Sequence, residues 1–184
     1  MHNPLSSITL PPYASVARYE GKGNYAIDKY YKLPYRFFYR HKLKMIIDLM
    51  QKDHIYQNIL DYGSGPGIFM YELKKHALFV HQFNRFYKID SRVRFELVIC
   101  ASVLEFCKLE ETLSEIKSII RPGGKLIVAS PQSNKLTRLY FRLIQDTYKR
   151  HSEDDIIAAV SKLFQIEEYK SWCGLYFALR ARVF

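Results

Sequence analysis

Three glycines spaced two apart, Gly63, Gly65 and Gly67, follow a short apolar run, Asn58-Ile59-Leu60-Asp61-Tyr62. A stretch compatible with a helix, Ile68 to Lys75, comes next. Few folds use such a pattern. A strand that turns sharply into a helix needs backbone at positive φ, which glycine adopts without steric cost. The following helix would turn free N–H donors and its positive dipole end toward whatever lies over the loop. In open α/β sheets that place is the carboxyl edge, where ligands bind. A tight strand-to-helix turn with no ligand would use the same residues. The spacing narrows the ligand: the dinucleotide fingerprint is GxGxxG, whereas GxGxG stands here. The loop also contains no Lys, which argues against hydrolysis of a nucleoside triphosphate.

The rest of the chain alternates between the two periodicities. Residues 35–52 read as a helix, with Phe38, Met45, Ile46, Leu49 and Met50 near helical spacing. Ala77–Phe83 reads as a strand, Phe86–Ile89 as a short one, and Phe95–Cys100 as a buried parallel strand because it is almost continuously apolar. A helix over Glu110–Ile120 stops at Arg121-Pro122-Gly123-Gly124, a tight turn into strand Lys125–Ala129. A basic amphipathic helix spans Asn134–Arg150, and Ser152 caps a helix that runs through Lys162. Phe164–Lys170 and Gly174–Phe184 form a hairpin. The order predicts an α/β fold: Rossmann-like, doubly wound, with a mainly parallel sheet, helices on both faces and an antiparallel C-terminal strand pair. Residues 1–24, with Pro4, Pro11, Pro12, Gly21 and Gly23, read as a mobile N-terminal arm, and 25–184 as a single domain.

Composition excludes several classes. With 184 residues and 48% hydrophobic side chains, the chain can bury a core and is not disordered. Three cysteines, Cys100, Cys107 and Cys173, cannot all pair, and no CxxC occurs. A reducing, cytoplasmic setting without a metal site is expected. The first residues lack the apolar core of a secretory signal. No run approaches the roughly 20 residues that span a bilayer. The formal net charge is +10. Residues 1–58 carry nine basic and four acidic side chains, 59–131 ten and eight, and 132–184 nine and six, so the excess lies at both ends. Such a field favours anionic partners: nucleic acid, a phospholipid surface or phosphorylated metabolites. A solvated basic surface explains it equally well.

Three segments together resemble the class I S-adenosylmethionine-dependent methyltransferases. Ile59-Leu60-Asp61-Tyr62-Gly63-Ser64-Gly65-Pro66-Gly67 looks like their first motif. Phe95-Glu96-Leu97-Val98-Ile99-Cys100-Ala101-Ser102-Val103-Leu104-Glu105-Phe106 looks like their fourth-strand segment, and Ile120-Arg121-Pro122-Gly123-Gly124-Lys125-Leu126-Ile127-Val128 like the turn into their fifth strand. The segments occur in the family's order, and the resemblance spans residues 35–184. It implies methyl transfer from S-adenosyl-L-methionine, with S-adenosyl-L-homocysteine as product, to a small-molecule or lipid-like acceptor. It implies that Gly63, Ser64, Gly65 and Gly67 lie against the methionine part of the cofactor and that Asp61 orients its ammonium group. Ala101, Ser102 and Val103 would line the face where the methyl group moves.

The pattern departs from the family at the ribose. Counting from the first motif puts Asn84 where an acidic residue normally ends the second strand. Another alignment puts Asp90 there, and a third sets Asp90 beside the adenine at the end of a third strand. Only 11 positions separate Asn84 from Phe95, too few for the helix and strand the family fits into that interval. A catalytically degenerate methyltransferase-like binding or scaffolding module is therefore the alternative. A nucleic-acid methyltransferase is a weaker third reading. The Asn/Asp-Pro-Pro-Tyr/Phe motif of enzymes that methylate flipped bases is replaced by Ala101-Ser102-Val103-Leu104.

Candidates for a general base or a positioning group are His151, Tyr25 and Tyr30. His151 follows the fifth-strand region, which often faces the acceptor in the resembled family. Tyr25, Tyr30 and Tyr31 precede the first core helix, where related enzymes carry a lid. Lys135, Arg138, Arg142 and Lys149 share helical spacing and offer contact with an anionic acceptor or peripheral contact with a membrane.

Overall fold

The structure, a computed structural model, describes residues 8–16, 25–33, 35–51, 53–83, 92–143 and 151–184. Six strands form one sheet: β1 (Tyr56–Tyr62), β2 (Ala77–Phe83), β3 (Phe95–Ala101), β4 (Ile120–Pro131), β5 (Phe164–Trp172) and β6 (Tyr176–Val183). Their order is β2-β1-β3-β4-β6-β5. β2, β1, β3 and β4 run parallel, and β6 is antiparallel to both β4 and β5. This is the expected doubly wound architecture with its antiparallel C-terminal pair.

Strand alternation separates two cores, one on each sheet face. Ile59, Leu97, Ile99, Ile127 and Ala129 face one way, and Leu60, Val98, Cys100, Leu126 and Val128 the other. Helix α1 (Tyr13–Val16) and helix α2 (Tyr25–Tyr31) precede the long helix α3 (Tyr35–Leu49). Tyr39, Lys42, Leu43, Met45, Ile46 and Leu49 of α3 form one buried stripe at spacings of three and four. Its apolar members pack on the first sheet face. On the other face lie α5 (Leu109–Ile119) and α7 (Glu153–Leu163), each with a buried stripe. The remaining helices are α4 (Met70–Leu73), which precedes β2, and α6 (Lys135–Leu143), which follows β4. Ser152 caps α7 as expected: its Oγ accepts from the Asp155 N–H while the Asp155 carboxylate accepts from the Ser152 N–H, a complete capping box.

Three expectations change, and a fourth lies partly outside the described residues. The helix expected over Ile68–Lys75 is one helical turn, Met70–Leu73, so no long helix dipole points at the glycine loop. The Arg121–Gly124 turn is absorbed into β4, which starts at Ile120 and shifts register against β3 between Phe95 and Leu97. At this place a Cβ on Gly124 would press on the Ile120 side chain and on the Arg121 and Glu96 carbonyls, so glycine suits the close approach of the strands. The supposedly mobile arm is packed where it is described. Ile8 and Val16 are buried, Arg40 Nη2 donates to the Ile8 carbonyl at 3.0 Å, and the Thr9 N–H donates to Glu72 at 2.5 Å. Residues 8–16 carry apolar groups that find Ile27 and Ile68 as partners, which proline-rich composition concealed. Finally, α6 is described only to Leu143, so the rest of the expected helix to Arg150, with Lys149, lies outside the described residues, as does the short strand at Phe86–Ile89. Among the described residues no strand pairs with the outer edge of β2.

No helix among the described residues is long and apolar enough to cross a membrane. Cys100, Cys107 and Cys173 are free thiols.

Candidate active site

The carboxyl ends of β1 and β3 open onto a cavity of about 270 Å³. Its wall on one side is the glycine loop: Asp61, Gly63, Ser64, Gly65 and Pro66. Opposite are Ala101, Ser102, Glu105 and Phe106, which follow β3. Lys29 and Tyr30 of α2, Tyr39 and Lys42 of α3, and Tyr176 of β6 complete it.

The loop glycines divide into two kinds. All three have positive φ: 78° at Gly63, 53° at Gly65 and 72° at Gly67. A Cβ on Gly63 would collide with the Val103 side chain, and one on Gly67 with Gln82. Those two glycines serve close packing within the protein. A Cβ on Gly65 would meet nothing within 4 Å, so bare backbone there faces open space. The loop's donors are largely used internally. The Gly63 and Ser64 N–H groups both donate to the Phe83 carbonyl, at 2.7 and 3.2 Å, and the Gly67 N–H donates to the Ser64 carbonyl at 2.9 Å. A loop that spends its donors this way is no phosphate cradle. It suits a ligand that meets it by contact with carbon.

Charged groups are concentrated and buried around this opening. Asp61, the last residue but one of β1, faces the α3 side of the sheet and is only 3% exposed. Burial pushes its carboxyl up to about 7, against the opposing pull of the Lys42 ammonium. Lys42, 2% exposed, donates from Nζ to Ser102 Oγ at 2.9 Å. Its Nζ lies 5.0, 5.9 and 6.0 Å from the ring centroids of Tyr39, Tyr176 and Tyr30, a three-sided aromatic cage. Lys29, also buried, has its Nζ 5.6 Å from the Tyr39 ring. Ser102 holds left-handed backbone at φ 57°, fixed by its N–H donating to the Ala129 carbonyl at 2.7 Å. Backbone strain of this kind concentrates at functional sites, and here it aims the hydroxyl at Lys42. Glu105, 1% exposed, accepts from Ser130 Oγ at 2.9 Å.

Sequence-expected residues distribute as follows. Asp61, Gly63, Ser64, Gly65, Ala101, Ser102 and Tyr30 line the cavity. Gly67 and Val103 do not line it; they brace the loop through Gln82 and Gly63. His151 is not among the lining residues: its Nε2 lies 2.8 Å from the Cys107 carbonyl, tying the start of α7 to the segment after β3. Tyr25 opens α2, and its side chain lies outside the described residues, as do Asn84 and Asp90 altogether. Burial, with Asp61 nearby, raises the Tyr30 phenol well above its usual range, so it is a hydroxyl donor and not a base. Sequence reading missed Lys29, Tyr39, Lys42, Glu105 and Tyr176. Lys42 carried a signal: it falls three after Tyr39 and four before Ile46, on the apolar stripe where a solvated lysine does not belong. Among the described residues no three His, Cys, Asp or Glu side chains are grouped to hold a metal ion.

Compared by sequence, the chain matches no family model and no curated protein. Compared by structure, it is similar to many solved chains. One is the N-methyltransferase NodS from Bradyrhizobium japonicum WM9 in complex with S-adenosyl-L-homocysteine, with a TM-score of 0.66 and 16% identity over 93% of this chain and 97% of that one. The fold is that of the class I S-adenosylmethionine-dependent methyltransferases. Human N-acetylserotonin methyltransferase in complex with SAM matches at TM-score 0.60 and 16% identity, over 98% of this chain and 64% of that one. Geranyl diphosphate C-methyltransferase from Streptomyces coelicolor A3(2), in complex with Mg2+, geranyl diphosphate and S-adenosyl-L-homocysteine, matches at 0.58 and 10%, over 95% and 89%. In this methyltransferase fold the glycine loop stands at the carboxyl edge of the parallel strands, where open α/β sheets take their ligands.

Proposed function

We propose that this protein is an S-adenosylmethionine-dependent methyltransferase acting on a small-molecule acceptor. The observation that carries the reading is Gly65: bare left-handed backbone over open space, beside buried Asp61, in a cavity at the carboxyl ends of β1 and β3. The lining chemistry fits the methionine part of the cofactor. Asp61 offers a carboxylate to its ammonium group, and the Lys42 ammonium a partner to its carboxylate. Gly63, Ser64 and Gly65 offer backbone at van der Waals range. When bound, S-adenosylmethionine supplies a methyl group already activated by its sulfonium. The protein's task is then to position and desolvate. Ala101, Ser102, Phe106, Tyr30, Tyr39 and Tyr176 line the space in which the reacting groups would be held and stripped of water. The Tyr30 hydroxyl, held protonated, donates to an acceptor oxygen and orients it. Glu105 is the carboxylate within the cavity suited to accept a proton from a less acidic acceptor. A cytoplasmic setting suits the three free thiols.

Calorimetric titration with S-adenosylhomocysteine tests the reading. Saturable binding is expected, and no heat up to millimolar ligand would refute it. Binding without methyl transfer to any acceptor in a broad panel would favour the binding-module alternative.

A further inference from the structure

Among its described side chains, α6 is turned inside out. A surface helix normally buries its apolar stripe and leaves the polar one in water. In α6 the buried side chain is Thr137, whose Oγ1 lies 2.9 Å from the Gly174 carbonyl at the tip of the β5–β6 hairpin. Asn134 accepts from the Thr137 N–H at 2.8 Å, and its amide donates to the same carbonyl, so the helix is held by polar contacts. Leu136 and Leu139, three apart on one flank, are 53% and 56% exposed. Lys135, Arg138 and Arg142, at spacings of three and four, are exposed along the other.

The apolar flank continues onto the hairpin and α3. A Cβ on Gly174 would stand 3.9 Å from Leu136. Two residues before it, Trp172 stacks on His41 with ring centroids 4.1 Å apart. The Trp172 ring is also 5.5 Å from Phe37, which is 46% exposed and follows exposed Arg36. This surface belongs to the edge of the sheet that holds the cavity, because Pro131, just before α6, and Tyr176, just after the hairpin tip, both line it. Its charge is one-sided in the sequence as well. Residues 134–150 contain Lys135, Arg138, Arg142, Lys149 and Arg150 against Asp146 alone. Glu153, Asp154 and Asp155 start α7, which packs on the sheet face opposite to Trp172 and α3. Leucines beside cations on one exposed helix suit a bilayer surface: the leucines reach the acyl boundary while Lys and Arg stay with the lipid phosphates. Trp172 has the mixed character found at that depth. Nucleic acid would satisfy the cations and strand the leucines.

We propose that α6, the β5–β6 hairpin tip and the start of α3 form a docking face for an anionic phospholipid surface, which turns the cavity's edge of the sheet toward the lipid. The proposal goes beyond the methyltransferase reading and does not depend on it.

The test sediments the full chain with vesicles of phosphatidylcholine, alone or with about one-third phosphatidylserine, at about 0.1 M salt. Binding to the mixed vesicles is expected to be about tenfold tighter or more. Each Lys or Arg near an anionic surface strengthens binding about fivefold, so Lys135→Gln with Arg142→Gln should lose about 25-fold. Lys117→Gln with Lys162→Gln removes the same charge from the last turns of α5 and α7, at the opposite edge of the sheet, and should change affinity less than about twofold. Leu136→Ser with Leu139→Ser should lose about tenfold. The α6 side chains replaced are exposed, so thermal unfolding should not move. Trp172, the one tryptophan of the chain, adds a readout that needs no variant: lipid brominated in its acyl chains should quench its fluorescence. The proposal is overturned by equal binding to both vesicle types or by binding to neither. Equal losses from the two charge pairs, a leucine variant that keeps its affinity, or binding without quenching of Trp172 overturn it too. So does a short oligonucleotide that displaces the vesicles and binds parent and leucine variant alike, since the face would then read nucleic acid.

Discussion

Replacing single loop glycines with alanine separates ligand contact from internal packing. Gly65 sits at φ 53° with open space where a Cβ would go. Gly65→Ala therefore costs only the left-handed backbone penalty, about 1–2 kcal/mol. For a protein of this size that is a fall in Tm of about 2–8 °C. Gly63→Ala carries the same penalty and also drives a methyl group into Val103, which packs against the core between the sheet, α5 and α7. Overpacking adds about 1–3 kcal/mol, so its Tm should fall further. Ligand affinity should rank the other way relative to stability. The new methyl of Gly65→Ala enters the cavity itself, and S-adenosylhomocysteine binding should weaken about tenfold, or 1.4 kcal/mol, despite the milder unfolding effect. Thermal unfolding and calorimetric titration on both variants give the two quantities independently. If Gly65→Ala binds S-adenosylhomocysteine like the parent, or is the less stable of the pair, the assignment of the open glycine is wrong.

Asp61 makes stability depend on pH in a defined direction. Its folded-state carboxyl lies near 7 and its unfolded value near 3.8, so the folded chain holds the proton over that interval and stability falls as pH rises from 4 to 7. Asp61→Asn should lack this decline, gaining on the parent by a few kcal/mol (about 1.4 per pH unit) by pH 7 and no more above it; parallel denaturant titrations across pH would show no divergence if the carboxyl were not buried. Because a carboxylate and not a carboxylic acid pairs with an ammonium, S-adenosylhomocysteine affinity of the parent should rise with pH through about 7, and a flat calorimetric profile would contradict that pairing. Ser152→Ala removes the capping box, whose residues do not line the cavity, and should cost about 1 kcal/mol with ligand affinity unchanged; a loss of affinity would mean the start of α7 acts on the site through the His151 N–H, which donates to the Glu105 carbonyl. Ile8→Ala should cost about 2 kcal/mol, and a neutral effect in chemical denaturation would return residues 8–16 to the status of a loose arm.

Local periodicity and turn chemistry made the sheet legible. β3 announced itself as an almost continuous apolar run, and the Ser152 cap could be read from its own four residues. What escaped is what depends on distant partners. A single turn, α4, replaced a longer helix because Gly67 and the loop hydrogen bonds fix its start, and nothing in the residues 68–75 reveals those bonds. Gly63, Gly65 and Gly67 look alike in sequence, yet Val103 and Gln82 give two of them a packing role. His151 looked chemical because histidine titrates near neutrality, but its ring meets a backbone carbonyl brought near only by the chain's return through α7. Lys29 and Lys42 escaped as site residues, since a helix diagram shows which stripe a residue shares but not which cavity that stripe borders.

Residues 8–16 are tied to α2: the Tyr31 hydroxyl donates to the Pro11 carbonyl at 2.6 Å, and the Tyr13 hydroxyl to Asp28 at 2.6 Å. Val16 and Ile27 share a small apolar cluster with Ile68, next to the glycine loop. The wall bearing Lys29 and Tyr30 is thus fastened from upstream in the chain. Trimming those first residues would leave a sheet that melts cooperatively while the ligand chamber loses one side, so folding and binding would part company at the amino end.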